Sequence, residues 1–316
     1  RLGGVAIWTS TMLTFLLLVF LSYYPYGSLL SGILLGGSLM FLLGLVDDVY
    51  NLNAKFKLFI QVAIVTVVYL LGVKIDTIFN PFQMGSVVHL AWWLSYPITL
   101  LWIVGICNAV NFIDGVDGLA GSVITVNSIT LAIVAVSMTP SNSISALIAF
   151  ILSGSMLAFL AYNFNPAKIF MGDSGSLFSG FLLASLSITG VMKTATLAIL
   201  LPFVVLAVPI IDITFSTLRR IMKGHSPFVA DAEHIHHKLL KAGLSQNKTV
   251  VTITFVAIVG GAIATALVGS IGHYLIYMLV LLLIMFGLSL ISITRKKNIN
   301  PEHILEEEQH KNDENK

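Results

Sequence analysis

Six acidic or amide side chains stand at the ends of long apolar runs: Asp47, Asp48, Asn111, Asp114, Asp117 and Asp173. They fall in three short segments, GLVDDVYN, NAVNFIDGVDGLAG and NFNPAKIFMGDSGS. Only 10% of the 316 residues are charged, and a carboxylate beside hydrocarbon is costly, so each needs a physical reason. The adjacent Asp47 and Asp48 repel unless a cation or proton intervenes, which suits a divalent metal or a base, or else an ordinary polar helix end. Asn111, Asp114 and Asp117 recur every third residue, so a helical turn would stack them on one face, with Gly115 and Gly118 letting a ligand approach. The plainer reading is an Asn/Asp/Gly turn. Asp173 and Ser174 are placed to cap the helix that follows. That N-terminus, opened by Gly172 and Gly175, also suits a phosphate, and Phe170 could stack on a base.

A fourth segment, 218–248, carries Arg219, Arg220, Lys223, His225, Asp231, His234, His236, His237, Lys238 and Lys241. The HIHH run lacks an evident fourth zinc ligand, and no HExxH is present. Basic loops beside membranes commonly meet lipid headgroups, but three imidazoles among cations also suit a pyrophosphate. Asp212 is either a partner for a basic residue or a further site carboxylate. This hard, oxygen-rich set favours Mg²⁺ or Mn²⁺, usually shared with substrate phosphates, over zinc or copper. Metal, phosphate-friendly helix ends and a basic His segment beside lipid point to phosphoryl transfer onto a lipid.

The elements that must position these groups are membrane helices. The chain is 57% hydrophobic with a mean hydropathy of +0.93, far from a soluble domain. Ten spans are expected, at roughly 5–21, 28–46, 56–72, 91–108, 118–138, 143–162, 175–190, 195–217, 249–268 and 272–293. The fold class is therefore all-α, a polytopic helix bundle over 1–293, with a short hairpin expected within 73–90 and a charged tail over 294–316. Alternating the sides puts Arg1, 46–55, 109–117, 163–174, 218–248 and the tail from 294 on one face, which with Lys57 at the near end of its span holds 15 of the 17 Lys and Arg; only Lys74 and Lys193 lie opposite. The positive-inside rule makes that face cytoplasmic. No basic stripe suggests nucleic acid. The lone Cys107 excludes a disulfide or Cys-based zinc framework. A GxxxG at Gly32–Gly36 fits close packing within the bundle or a homodimer. The chain opens on Arg1, with RLGG, which reads as an N-terminal truncation. A transporter or flippase is the competing class, but its ionisable groups would line a midplane path, whereas these gather at one surface.

GLVDD, NAVNFIDGVDGLAG, NPAKIFMGDSGSLF and ADAEHIHHKLL, in this order, resemble the polyprenyl-phosphate N-acetylhexosamine-1-phosphate transferases, over more than three quarters of the chain. The HIHH form is similar to the GlcNAc-1-phosphate branch rather than the phospho-MurNAc-pentapeptide branch, and most like Gram-positive enzymes that start teichoic acid linkage units. The resemblance implies a bacterial plasma-membrane enzyme with its site on the cytoplasmic face, transferring GlcNAc-1-phosphate from UDP-GlcNAc to undecaprenyl phosphate and releasing UMP. It implies a further helix and a basic segment before RLGG. It also implies Mg²⁺ on Asp173 and Asn111, and uridine near Asp117, Asn163 and Phe170. Asp114 would lie by the sugar-nucleotide and Asp47 and Asp48 by the lipid phosphate. His234, His236, His237, Arg219 and Arg220 would meet the diphosphate or sugar. Other hexosamine donors remain the nearest alternative.

Overall fold

The computed structural model of the chain describes residues 2–21, 27–79, 87–137, 143–191, 200–222, 234–268 and 277–278. Hydrocarbon offers backbone groups no partner, so apolar runs of this length must satisfy themselves as helices. In chain order these are α1 (Gly3–Phe20), α2 (Ser28–Tyr50), α3 (Ala54–Leu70), α4 (Trp92–Ile113), α5 (Leu119–Ser137), α6 (Ser143–Asn163) and α7 (Gly172–Leu186). A π-helical turn, Ser187–Val191, continues α7, and α8 (Leu200–Val205), α9 (Ala207–Met222), α10 (Ile235–Lys241) and α11 (Gln246–Val268) follow. Six of the described helices are long and apolar enough to cross a membrane, making this a multi-pass membrane protein. Between α3 and α4, β1 (Thr77–Phe79) pairs antiparallel with β2 (Val87–His89), Thr77 opposite His89, which is the expected hairpin. These elements belong to one unit, Arg1–Tyr277. The expected tenth span and the charged tail lie outside the described residues, apart from Tyr277 and Met278.

The bundle is built around α7, every residue of which from Ser174 to Leu186 is buried. Its small residues let neighbours approach closely. A Cβ at Gly180 would lie 2.8 Å from the Cα of Cys107 on α4, and one at Gly175 2.9 Å from the Cα of Gly4 on α1. The GxxxG glycines of α2 pack inside the same chain: a Cβ at Gly36 would lie 2.3 Å from the Phe181 ring, and one at Gly32 3.1 Å from Leu71. Hydroxyls in α7 return to the helix itself, as Ser179 Oγ donates to the Gly175 carbonyl at 2.7 Å.

Three expected boundaries shift. Helix α2 continues through Tyr50, so the first polar loop shrinks to 51–53. The eighth span is two helices broken at Leu206. Pro209 falls in the first turn of α9, where its missing N–H costs little. The segment 218–248 is not one loop: α9 runs to Met222, α10 occupies 235–241 and α11 starts at Gln246. Arg219 and Arg220 therefore close α9 in its last turn, where cations suit the carbonyl end of a helix.

Candidate active site

The site begins at the N-terminus of α7. Asp48, in the last turn of α2, accepts from the backbone N–H of Asp173 (3.0 Å) and Ser174 (3.0 Å) and from Ser174 Oγ (2.9 Å). A helix start leaves its first N–H groups unpaired, and a carboxylate satisfies both them and the dipole. The expectation that Asp173 and Ser174 cap this helix is corrected: the cap comes from α2, and the Asp173 side chain points elsewhere. Gly172 enters the helix at φ +69°, and a Cβ there would lie 2.6 Å from Asp48 Oδ2. A side chain at 172 would meet both the left-handed backbone and the cap. A Cβ at Gly44 would lie 2.3 Å from the Asp173 carbonyl, so α2 touches α7 backbone to backbone. The RLGG segment serves the same end, because Gly3 N donates to Phe170 O and Gly4 N to Met171 O, both at 3.0 Å.

Asp173 faces a polar cluster drawn from three other helices. Lys57 Nζ of α3 donates to Asp47 Oδ2 at 2.8 Å and also to Asp173 Oδ2. The other oxygens are held too: Leu52 N donates to Asp47 Oδ1 at 2.6 Å, and Asn111 Nδ2 of α4 donates to Asp173 Oδ1 at 3.0 Å and Ser176 Oγ at 2.9 Å. One ammonium thus balances two carboxylates in a largely buried pocket. One turn deeper, Asn108 Nδ2 donates to Gln61 Oε1 at 2.8 Å and ties α3 to α4.

This donor set fits a hard cation only in one manner. Among the described residues no cluster of three or more His, Cys, Asp or Glu could cage a metal. Mg²⁺, however, needs only one or two carboxylates when substrate phosphates complete its shell. Asp173 supplies such a carboxylate, and Asn111 and Ser176 add neutral oxygens beside it.

A cleft of about 230 Å³ opens next to Asp173, lined by Asp114, Gly115, Val116, Asp117, Asn163, Phe170, Gly172 and Asp173. Asn111, Asp114 and Asp117 do not stack on one helix face, because α4 ends at Ile113 and Gly118 turns the chain at φ +79°. Asn111 looks toward Asp173, while Asp114 and Asp117 border the cleft. Asp117 Oδ2 accepts from Ala167 N (3.1 Å) and Asn165 Nδ2 (3.2 Å), and Asn165 also bonds Gln246 at the start of α11. Buried Asn163 accepts from Gly118 N at 3.0 Å and donates to the Ile169 carbonyl at 2.8 Å, so its amide joins the two loops that form the cleft. Phe170 is half exposed at the rim, as a stacking residue must be. Arg219 and Arg220 are not among the lining residues.

The histidines stand against the second loop. Buried Asp212 on α9 pairs with His234 Nδ1 at 3.0 Å and accepts from Ile235 N at 2.8 Å. His234 stacks on Phe112 (5.2 Å) and lies parallel to His236 (5.8 Å, 5°), whose ring meets His237 at 4.2 Å. A Cβ at Gly115 would lie 2.6 Å from His236 Nε2, so this imidazole reaches the cleft-forming loop. Burial, with His237 beside it, pushes the His236 imidazole down to about 4, opposed by Asp212. His236 is therefore a neutral hydrogen-bonding group at pH 7, not a cation. Its folded value lies below the ordinary 6.5, so the unfolded chain takes the proton first as pH falls. Its contribution to stability is intact above about pH 6.5 and is lost as pH falls toward about 4. In thermal unfolding across pH 4–7, His236→Gln should flatten the fall in Tm; an unchanged slope would contradict the assignment. Lys223, His225 and Asp231 lie outside the described residues.

Lys57 and Ser176 are not legible as site groups in the sequence, and of the two readings of Asp212 the structure supports the partner for a basic residue, His234. Lys57 sat inside an expected span, ten residues after Asp47; its one signal was a cation placed just within an apolar run.

The family described as Glycosyl transferase family 4 matches residues 30–191. The chain is 38% identical over 265 residues to the probable undecaprenyl-phosphate N-acetylglucosaminyl 1-phosphate transferase of Bacillus subtilis, covering 82% of this chain and 70% of that relative. It is 33% identical to the decaprenyl-phosphate N-acetylglucosaminephosphotransferase of Mycobacterium leprae (80% and 69% covered). It is 29% identical to the undecaprenyl-phosphate alpha-N-acetylglucosaminyl 1-phosphate transferase of Escherichia coli K12 (85% and 71% covered).

Proposed function

Since the chain belongs to glycosyl transferase family 4, we propose that it transfers GlcNAc-1-phosphate from UDP-GlcNAc to undecaprenyl phosphate on the cytoplasmic face of a bacterial plasma membrane. The observation that carries this reading is the Asp47–Lys57–Asp173–Asn111 cluster beside an open cleft at one end of the membrane helices. The names of the relatives support the donor sugar and the lipid phosphate. Membership of a transferase family also favours an enzyme over the flippase alternative.

In this reading an oxygen of the lipid phosphate attacks the β-phosphorus of UDP-GlcNAc. The bond from that phosphorus to the bridging oxygen breaks, and UMP leaves with the bridging oxygen. Positioning and charge stabilisation dominate such a transfer. Lys57 supplies the cation shared by Asp47 and Asp173 and would meet incoming phosphate. A phosphate monoester has its second pKa near 6, so it arrives mostly dianionic and needs no strong base. Asp47, with Oδ1 on Leu52 N and Oδ2 on Lys57, then holds Lys57 in place, and Asp48 positions Asp173 through the α7 cap. Asp114, Asp117 and Phe170 would face the sugar-nucleotide, Asn163 shapes its cleft, neutral His236 offers a contact to diphosphate or sugar, and His237 stands beside it. Arg219 and Arg220 add positive charge at the same end of the bundle. Mg²⁺, or Mn²⁺, would be held by Asp173 with Asn111, and when bound it neutralises charge on the diphosphate. The product fits the first membrane step of a cell-wall polymer of teichoic acid type, a reading that rests on the resemblance carried by the HIHH motif.

The test is UMP release with undecaprenyl phosphate and a panel of UDP-GlcNAc, UDP-GalNAc and UDP-MurNAc-pentapeptide. UDP-GlcNAc should be used at least tenfold better than the others; preference for another donor would overturn the assignment. In the same assay, chelation with EDTA should abolish release and added Mg²⁺ or Mn²⁺ restore it. Full activity in EDTA would remove the metal from the account.

A further inference from the structure

Asp212 is a buried carboxylate on α9, and a buried charge is costly unless it is paired and hydrogen-bonded. It is 3% exposed, lies two turns before Arg219 on α9, and is not among the residues lining the cleft. Both of its oxygens are spent on α10: Oδ2 on the His234 ring and Oδ1 on the Ile235 amide. His234 is the N-cap residue of α10 and makes no side-chain cap of its own. The cap comes instead from Asp212, as Asp48 of α2 caps α7. Both α7 and α10 thus start on a carboxylate borrowed from another helix, α7 from α2 and α10 from α9.

We propose that Asp212 is a positioning residue that sets the orientation and tautomer of His234, and through it the placement of His236 against the Gly115 loop. A carboxylate accepts only, so the His234 nitrogen facing it, Nδ1, must carry a proton. The bond to Ile235 N fixes where α10 begins, and hence the ring two residues on. The stack Phe112–His234–His236 carries that placement to the cleft, where His236 Nε2 is buried, has no protein partner and lies against residue 115. A buried polar atom without a partner is costly, and a ligand hydroxyl or phosphate oxygen in the adjoining cleft could supply one. The link to turnover rests on the proposed reaction; the link to α10 does not.

The two are tested separately. Asp212→Asn keeps shape and can still accept from Ile235 N, but its amide then donates to His234 and forces the opposite tautomer. It should fold, with an unchanged elution profile, and lower kcat by about a hundredfold with little change in the KM for UDP-GlcNAc. His234→Gln should cost a similar factor, and the double variant no more than the worse single one, as for groups acting as a unit. Independently of any activity, diethyl pyrocarbonate labelling read by mass spectrometry should find His236 protected in the parent and modified at least fivefold faster in Asp212→Ala. Multiplicative losses in the double variant would overturn the tautomer role. Unchanged His236 labelling in Asp212→Ala would overturn the positioning role even if the protein proved to use another substrate.

Discussion

Asp173→Asn should lower UMP release by on the order of a thousandfold at saturating Mg²⁺, about 4 kcal/mol of transition-state stabilisation, whereas Asp47→Asn should cost at least tenfold less. The two carboxylates share Lys57, so geometry alone does not rank them. Their remaining partners do. Asp47 spends its second oxygen on the Leu52 amide, a local turn contact that an asparagine oxygen can keep. Asp173 spends its second oxygen on Asn111 Nδ2, beside Ser176 and at the cleft wall, where a phosphate-bound cation would lie. An amide there keeps shape but removes the charge that holds a hard cation. If Asp47 were an obligatory base, the ranking would reverse, because its amide cannot accept a proton. Steady-state rates of the two variants at several Mg²⁺ concentrations decide the matter.

The second large effect is expected at Lys57. Removing one partner of a buried ion cluster commonly costs about 3–5 kcal/mol because the remaining charges lose their balance. In Lys57→Met, Asp47 and Asp173 face each other without the ammonium. Turnover should fall at least a hundredfold, since the cation proposed to meet the lipid phosphate is gone. The variant should also unfold at lower temperature without divalent metal, and Mg²⁺ should raise its Tm more than it raises the parent's, because metal then replaces the missing charge. Equal Mg²⁺ stabilisation in both proteins would mean that Lys57 and the metal do not share these carboxylates. Lys57→Arg separates charge from shape: it should recover stability more than turnover, because a guanidinium fork does not fill the place of a compact ammonium.

The gathering of the three acidic segments on one face was legible from apolar run lengths and the placement of Lys and Arg. Membrane helices obey a length rule, and alternation then fixes which ends meet. The hairpin after α3 was legible for the same reason, as a less apolar stretch between spans. The division of labour among the carboxylates was not. Asp47 and Asp48 are neighbours in sequence, yet one turns to Lys57 and the other to the backbone of α7. A carboxylate at a helix end reads the same whether it meets substrate or two peptide N–H groups; only the packing of α2 on α7 through Gly44 decides. Asn163 gives the same lesson, since the sequence does not show that this cleft-lining amide also joins the two loops. The spacing of Asn111, Asp114 and Asp117 suggested a helical face, but the turn at Gly118 sends them in different directions. Asp212 and His234 lie 22 residues apart, and no local pattern announces their pairing.

In the proposed reaction a sugar phosphate, and not a sugar alone, moves to the lipid. This is tested most directly with UDP-GlcNAc carrying ³²P in the β-phosphate, incubated with the reconstituted protein, undecaprenyl phosphate and Mg²⁺. Label should pass into the organic phase with the lipid while unlabelled UMP is released, and Asp173→Asn should block both. Label retained in water-soluble UDP, with GlcNAc alone on the lipid, would contradict the account.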